Sequence, residues 1–192
     1  MFLLKASAKK SMPRRLNFFK LGIDTVNIIL IGIMGAGKTT VGKLLSRKLG
    51  YRFIDMDDYI EESQGETITQ MFERSEDYFR RIEAEAAQSL GKLEQVVIAT
   101  GGGVVKNDNN MKVLSQGGVI VYLQRQVDKI LEVLDVSGRP LLRDNPQRLH
   151  EILREREELY NRYGEIVVQN NGDAGQAAQA IITALEDRGI RV

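Results

Sequence analysis

Gly32-Ile-Met-Gly-Ala-Gly-Lys-Thr39 decides how this chain is read. An apolar run, Val26-Asn-Ile-Ile-Leu-Ile31, precedes it, and a helical pattern with Val41, Leu44, Leu45 and Leu49 on one face follows. Strand, glycine-rich loop and helix in that order give the spacing G-x-x-x-x-G-K-T a physical meaning. Gly32, Gly35 and Gly37 let the backbone curl tightly and bring its N–H groups up to a polyphosphate. The free N–H groups and positive dipole end of the following helix face the same anion. The loop from Gly35 through Ala36, Gly37, Lys38, Thr39 and Thr40 is therefore expected to hold a nucleoside triphosphate. Lys38 would bridge the outer phosphates and the Thr39 hydroxyl would ligate the accompanying Mg2+. The competing reading is a glycine-rich turn with no ligand.

Working outward, short apolar runs alternate with longer amphipathic stretches, which predicts an α/β fold with a parallel sheet and crossover helices. Strands are expected at 26–31, 51–55, 96–100, 119–123 and 166–168. Helices are expected at 38–49, 57–63, 68–72, 77–93, 109–115, 127–134, 147–163 and 176–187. The chain of 192 residues suits one such domain, 26–192, behind a leader, 1–25. That leader carries Lys5, Lys9, Lys10, Arg14, Arg15 and Lys20 with no acid before Asp24. It reads as a solvated tail or misassigned start, or else as a plastid-type transit peptide. A net charge of +1 gives no general pull toward nucleic acid. No apolar run has membrane-spanning length, and the absence of cysteine excludes disulfides and thiol chemistry. A cytoplasmic monomer is expected.

In open parallel sheets ligands collect at the carboxyl ends of the strands. The second strand ends in Asp55-Met-Asp57-Asp58. Asp55 is placed to hold the metal, and Asp57 to accept a proton from an attacking hydroxyl. Alternatively Asp57 or Asp58 caps the next helix. The third strand ends in Gly101-Gly-Gly103, where backbone can approach a ligand with no side chain in the way. Arg156 falls on the apolar face of its helix with Leu149, Ile152, Leu153, Leu159, Tyr160 and Tyr163, so it needs an anionic partner. Arg80 has Glu76, Asp77 and Glu83 within helical reach, and spacing alone makes it a surface ion pair. The loop Ser137–Pro146 could close as a lid, with Arg139 or its competitor Arg143 stabilising the transferring phosphoryl group. The single histidine, His150, reads as structural.

Asp55-Met-Asp57, Phe79-Arg80-Arg81-Ile-Glu83, Gly101-Gly-Gly103, Arg139-Pro-Leu-Leu142 and Arg156 together resemble, in order, the motifs of shikimate kinase. The resemblance spans about Val26 to Leu185. It implies a three-layer α/β/α kinase fold of the nucleoside-monophosphate-kinase type, with a five-stranded parallel sheet and a helical lid. It implies ATP and Mg2+ as co-substrates, and phosphorylation of the 3-hydroxyl of shikimate to give shikimate 3-phosphate and ADP on the route to the aromatic amino acids. Arg80 and Arg156 would hold the shikimate carboxylate, Glu83 would steady Arg80, and Asp57 and Gly102 would face the ring, with Phe72 and Phe79 nearby. Arg139 would arrive with the lid. One departure is that Leu131–Val136 contains no arginine, where the family often places one against adenine. A gluconate-kinase-like enzyme and a non-catalytic nucleotide-binding homologue are the competing readings. A GTPase is disfavoured because Asn170-Asn-Gly-Asp173 only approaches the guanine-reading N-K-x-D.

Overall fold

The computed structural model describes residues 26–133, 145 and 147–190. The expected leader, 1–25, and the two arginines expected on a lid, Arg139 and Arg143, lie outside them. Five parallel strands stand in the order β2-β3-β1-β4-β5. They are β1 (Asn27–Ile31), β2 (Arg52–Asp55), β3 (Val96–Ala99), β4 (Gly118–Gln124) and β5 (Ile166–Gln169). The helices are α1 (Lys38–Leu49), α2 (Met56–Gln64), α3 (Ile68–Arg74), α4 (Glu76–Leu90), α5 (Asp108–Gly117), α6 (Val127–Leu131), α7 (Arg148–Tyr163) and α8 (Ala174–Glu186).

β1 is buried along its whole length, as a central parallel strand with both faces covered must be. Its side chains alternate between two cores. Ile29 and Ile31 join one with Ile98, Ile120 and Tyr122, under α4, α5 and α7. Ile28 and Leu30 join the other with Val97, Val121 and Leu123, under α1 and α8. Each such side chain contributes roughly 1.5–3 kcal/mol relative to leaving it in water. The chain leaves β1 for β2 but later returns to place β3 between them and β4 on the opposite side. That reversal opens a crevice at the carboxyl end of β1, where the glycine-rich loop stands.

Most differences from the expected boundaries have local causes. α4 begins at Glu76 because Ser75 caps it, its hydroxyl accepting from the Tyr78 N–H, and it ends before Gly91 rather than at Leu93. α8 starts at Ala174 because the Asp173 carboxylate accepts from the Gln176 N–H. β4 runs through Gln124, one residue further than its apolar run, since Asn170 N–H still finds the Gln124 carbonyl at 2.8 Å. α6 closes at Leu131, short of the expected 134.

Candidate active site

The glycine-rich loop is held from three sides. Gly37, the residue before α1, has φ of 92°, a left-handed conformation that glycine adopts without strain. A Cβ there would also sit 2.5 Å from Asn170 Nδ2. That amide, buried behind the loop, donates to the Ala36 carbonyl at 2.7 Å. Inside the loop, Lys38 Nζ donates to the carbonyls of Gly32 at 2.8 Å and Ile33 at 3.0 Å. Ala36 itself lies beneath the loop, its methyl fully buried and its N–H bonded to the Ile33 carbonyl.

A cleft of about 360 Å3 opens above this loop, and Gly35, Gly37, Lys38, Thr39, Thr40, Asp55, Asp57 and Gly102 all line it. Asp55 divides its two oxygens. Oδ1 accepts the Asp57 N–H at 3.1 Å and so caps α2, while Oδ2 accepts the Thr39 hydroxyl at 2.6 Å. The capping reading thus falls on Asp55, and neither Asp57 nor Asp58 starts the helix. Burial and the neighbouring Asp55 raise the Asp58 carboxyl above its usual range. A hydroxyl and a carboxylate joined at the mouth of a phosphate loop form a hard-oxygen donor set that fits Mg2+. No cluster of three or more metal-binding side chains occurs among the described residues.

Arg80 and Arg156 do not line this cleft, but both meet the turn Gly101–Gly103 that borders it. Arg156 is 5% exposed and Nη1 donates to the Gly102 carbonyl at 3.1 Å. Tyr160 donates to the same oxygen at 2.6 Å and stacks on Tyr122, centroids 5.1 Å apart. Arg156 Nε is buried without a partner among the described residues. A Cβ on Gly103 would lie 2.5 Å from both Nη atoms of Arg80, and one on Gly101 2.7 Å from Asp57 Oδ1 and 3.4 Å from Glu83 Oε1. The glycine turn therefore has Asp57 and Glu83 at one end and Arg80 at the other.

Arg80 is bonded to Glu83 at 2.8 Å and to Glu76 Oε1 at 3.1 Å, and Lys106 donates to that same Glu76 oxygen at 2.8 Å. Its side chain is only 18% exposed, so the pairing is not the solvated one that spacing suggested. Burial works against the guanidinium charge, but the two glutamates outweigh it and keep Arg80 firmly protonated. Burial pushes the Glu83 carboxyl up, opposed by Arg80 and then Arg156. Arg80 also rests over the rings of Phe79 and Phe72, 5.1 and 5.9 Å from their centroids. His150 is surface-exposed, with Nε2 3.6 Å from Asp128.

Four contributors escaped the motif reading. Tyr160 and Lys106 act through contacts with the Gly102 carbonyl and Glu76. Asn170, met in the sequence only as the start of the near miss to N-K-x-D, braces the phosphate loop. Arg125, which lines the cleft, is the one that position could have flagged, because it directly follows the carboxyl end of β4.

The Gly103 contact gives a direct test. Gly103→Ala must push the Arg80 guanidinium aside, so the KM for the carboxylate-bearing acceptor should rise by about tenfold with the nucleotide KM unchanged. An unaltered acceptor KM would detach Arg80 from acceptor binding.

A family model described as shikimate kinase matches residues 34–186. A shikimate kinase of Clostridium botulinum (strain Alaska E43 / Type E3) is 44% identical over 154 residues, 80% of this chain and 93% of that protein. The solved shikimate kinase from Acinetobacter baumannii, in complex with shikimate, superposes with a TM-score of 0.83 at 37% identity, over 88% of this chain and 97% of that one. A gluconokinase from Sinorhizobium meliloti 1021 shares the fold alone, at 18% identity and a TM-score of 0.58, with 86% and 94% of the two chains covered. Sequence and structure agree with the motifs at the cleft, and the chain belongs to the shikimate kinase family.

Proposed function

We propose that this protein phosphorylates the 3-hydroxyl of shikimate with ATP, giving shikimate 3-phosphate and ADP. The observation that carries the proposal is the meeting of Asp57, Arg80 and Arg156 around one glycine turn beside the phosphate loop. Two guanidinium groups suit a carboxylate, and a carboxylate between them and the loop suits a hydroxyl.

ATP lies along the loop, its phosphates taking backbone N–H groups from Gly35 to Thr40. Lys38 exchanges its two carbonyl partners for phosphate oxygens. Thr39 and Asp55 would hold Mg2+, which supplies charge neutralisation at the β- and γ-phosphates. Arg80 and Arg156 fix the shikimate carboxylate, with Glu83 and Glu76 holding Arg80 in place, and the Gly102 backbone packs against the ring. Asp57 orients the 3-hydroxyl and takes its proton as the oxygen bonds to the γ-phosphorus. The bond from that phosphorus to the β,γ-bridging oxygen breaks, and ADP leaves. Arg139 is proposed to add positive charge from the lid, whose closure would keep water from competing as nucleophile.

We place the reaction in the cytoplasm, with the protein a monomer. Among the described residues no helix is long and apolar enough to cross a membrane. Val133 and Val167 are the only large hydrophobic side chains exposed there, too little for a stable apolar interface. The net charge of +1 gives no basis for nucleic-acid binding. The relatives named above are bacterial, which lends the plastid alternative no support.

The deciding measurement is ADP release from ATP and Mg2+ with shikimate, gluconate, AMP, CMP or no acceptor. Release should be rapid with shikimate and near background in every other case. Equal release without acceptor, or a preference for gluconate or a nucleotide, would overturn the assignment.

A further inference from the structure

Arg125 stands at the carboxyl end of β4, pinned by its neighbours. The Gln124 carbonyl takes the Asn170 N–H, and the Gln126 N–H donates to Asn171 Oδ1, both at 2.8 Å. Its side chain lines the same cleft as Lys38 and Thr39. Nη1 reaches the Gly35 carbonyl of the phosphate loop at 3.4 Å, the long end of a hydrogen bond. Nε is shielded from solvent and has no partner among the described residues, nor does Arg125 form an ion pair with any of them. A guanidinium carries five N–H donors, and one long bond to a neutral carbonyl leaves this one under-used. A partly buried cation in that condition is stabilised by an arriving anion. The sequence of Leu131–Val136 contains no lysine or arginine.

We propose that Arg125 is a nucleotide-binding residue that grips the phosphate chain of ATP from the β4 side of the loop. The proposal rests on the triphosphate reading of the cleft given above. On binding, the guanidinium gives up its weak hold on Gly35 and directs Nε and one Nη to phosphate oxygens. It thereby adds a second fixed cation to Lys38, placed on the opposite flank from the acceptor site. Its contribution is to nucleotide affinity, and the shikimate side of the cleft is indifferent to it.

Calorimetric titration of the full chain with ATP and Mg2+, and separately with shikimate, tests this with Arg125→Gln and Arg125→Lys. Glutamine stops two bonds short of the terminal guanidinium nitrogens and carries no charge, so the melting temperature of the nucleotide-free variant reports loss of the Gly35 bond separately from loss of a phosphate contact. Arg125→Gln should weaken ATP binding by about tenfold or more, and Arg125→Lys should recover most of the loss. Shikimate affinity should stay within about twofold of wild type in both. ATP binding by Arg125→Gln as tight as wild type makes Arg125 a brace and overturns the proposal, as does an equal loss of shikimate affinity. A wild-type chain that binds no ATP at all overturns the triphosphate reading with it, an outcome distinct from either of those.

Discussion

Asp57→Asn is expected to lower kcat by on the order of a thousandfold while leaving ATP affinity near wild type. The substitution is isosteric, and the bond that positions residue 57 is made by its backbone N–H to Asp55 Oδ1, which an amide side chain leaves alone. The Thr39–Asp55 pair is likewise untouched. What disappears is the acceptor proposed for the proton of the attacking hydroxyl. Oδ1 of Asp57 is directed at Gly101, on the glycine turn that also carries the Arg156 contact at Gly102 and the Arg80 contact at Gly103. The loss should therefore appear in kcat, with the shikimate KM changed far less. Steady-state kinetics alongside ATP titration make the separation. A variant that turns over within a few-fold of wild type would leave Asp57 at most a hydroxyl-orienting group and end its role as base.

The fold was legible where burial imposes a pattern. β1 reads as a continuous apolar run because it is covered on both faces, and the loop after it has few ways to connect to α1. Asp55 and Asp57 were findable as cleft-lining residues because Asp55 ends β2 beside that loop and Asp57 follows in the first turn of α2. Arg80 shows the limit. Helical spacing correctly named Glu76 and Glu83 as partners, but spacing along one helix says nothing of what packs against it. The approach of Gly103, from a turn more than 20 residues later, makes the ion pair a wall of the site. Asn170 and Arg125 fail for the same reason, since their meaning lies in contacts with Ala36 and Gly35 across some 134 and 90 residues of sequence. His150 was adjacent to the apolar stripe of α7 but turned outward to Asp128, as a residue one step round a helix from its buried face does. The family resemblance supplied what spacing could not, the expectation that Arg80 and Arg156 act on one carboxylate.

Lys38→Met should cost a comparable amount, on the order of a thousandfold in kcat/KM for ATP, for a different reason. Lys38 is 8% exposed and its ammonium bonds the Gly32 and Ile33 carbonyls, so it serves as an internal strut of the loop before any phosphate arrives. Methionine keeps most of the apolar stem and loses the charge. The Gly32 and Ile33 carbonyls are buried, but the cleft beside Lys38 lets water reach the space its ammonium leaves, so the melting temperature of the nucleotide-free protein should fall by no more than about 4 °C. The loop conformation is also held by Asn170 on the Ala36 carbonyl and by the glycine torsions, neither of which involves Lys38. The loss should therefore follow the phosphates, and shikimate binding measured without nucleotide should be unchanged. Collapse of the melting temperature together with shikimate affinity would mean that the strut, rather than the charge presented to ATP, is what the enzyme requires of Lys38.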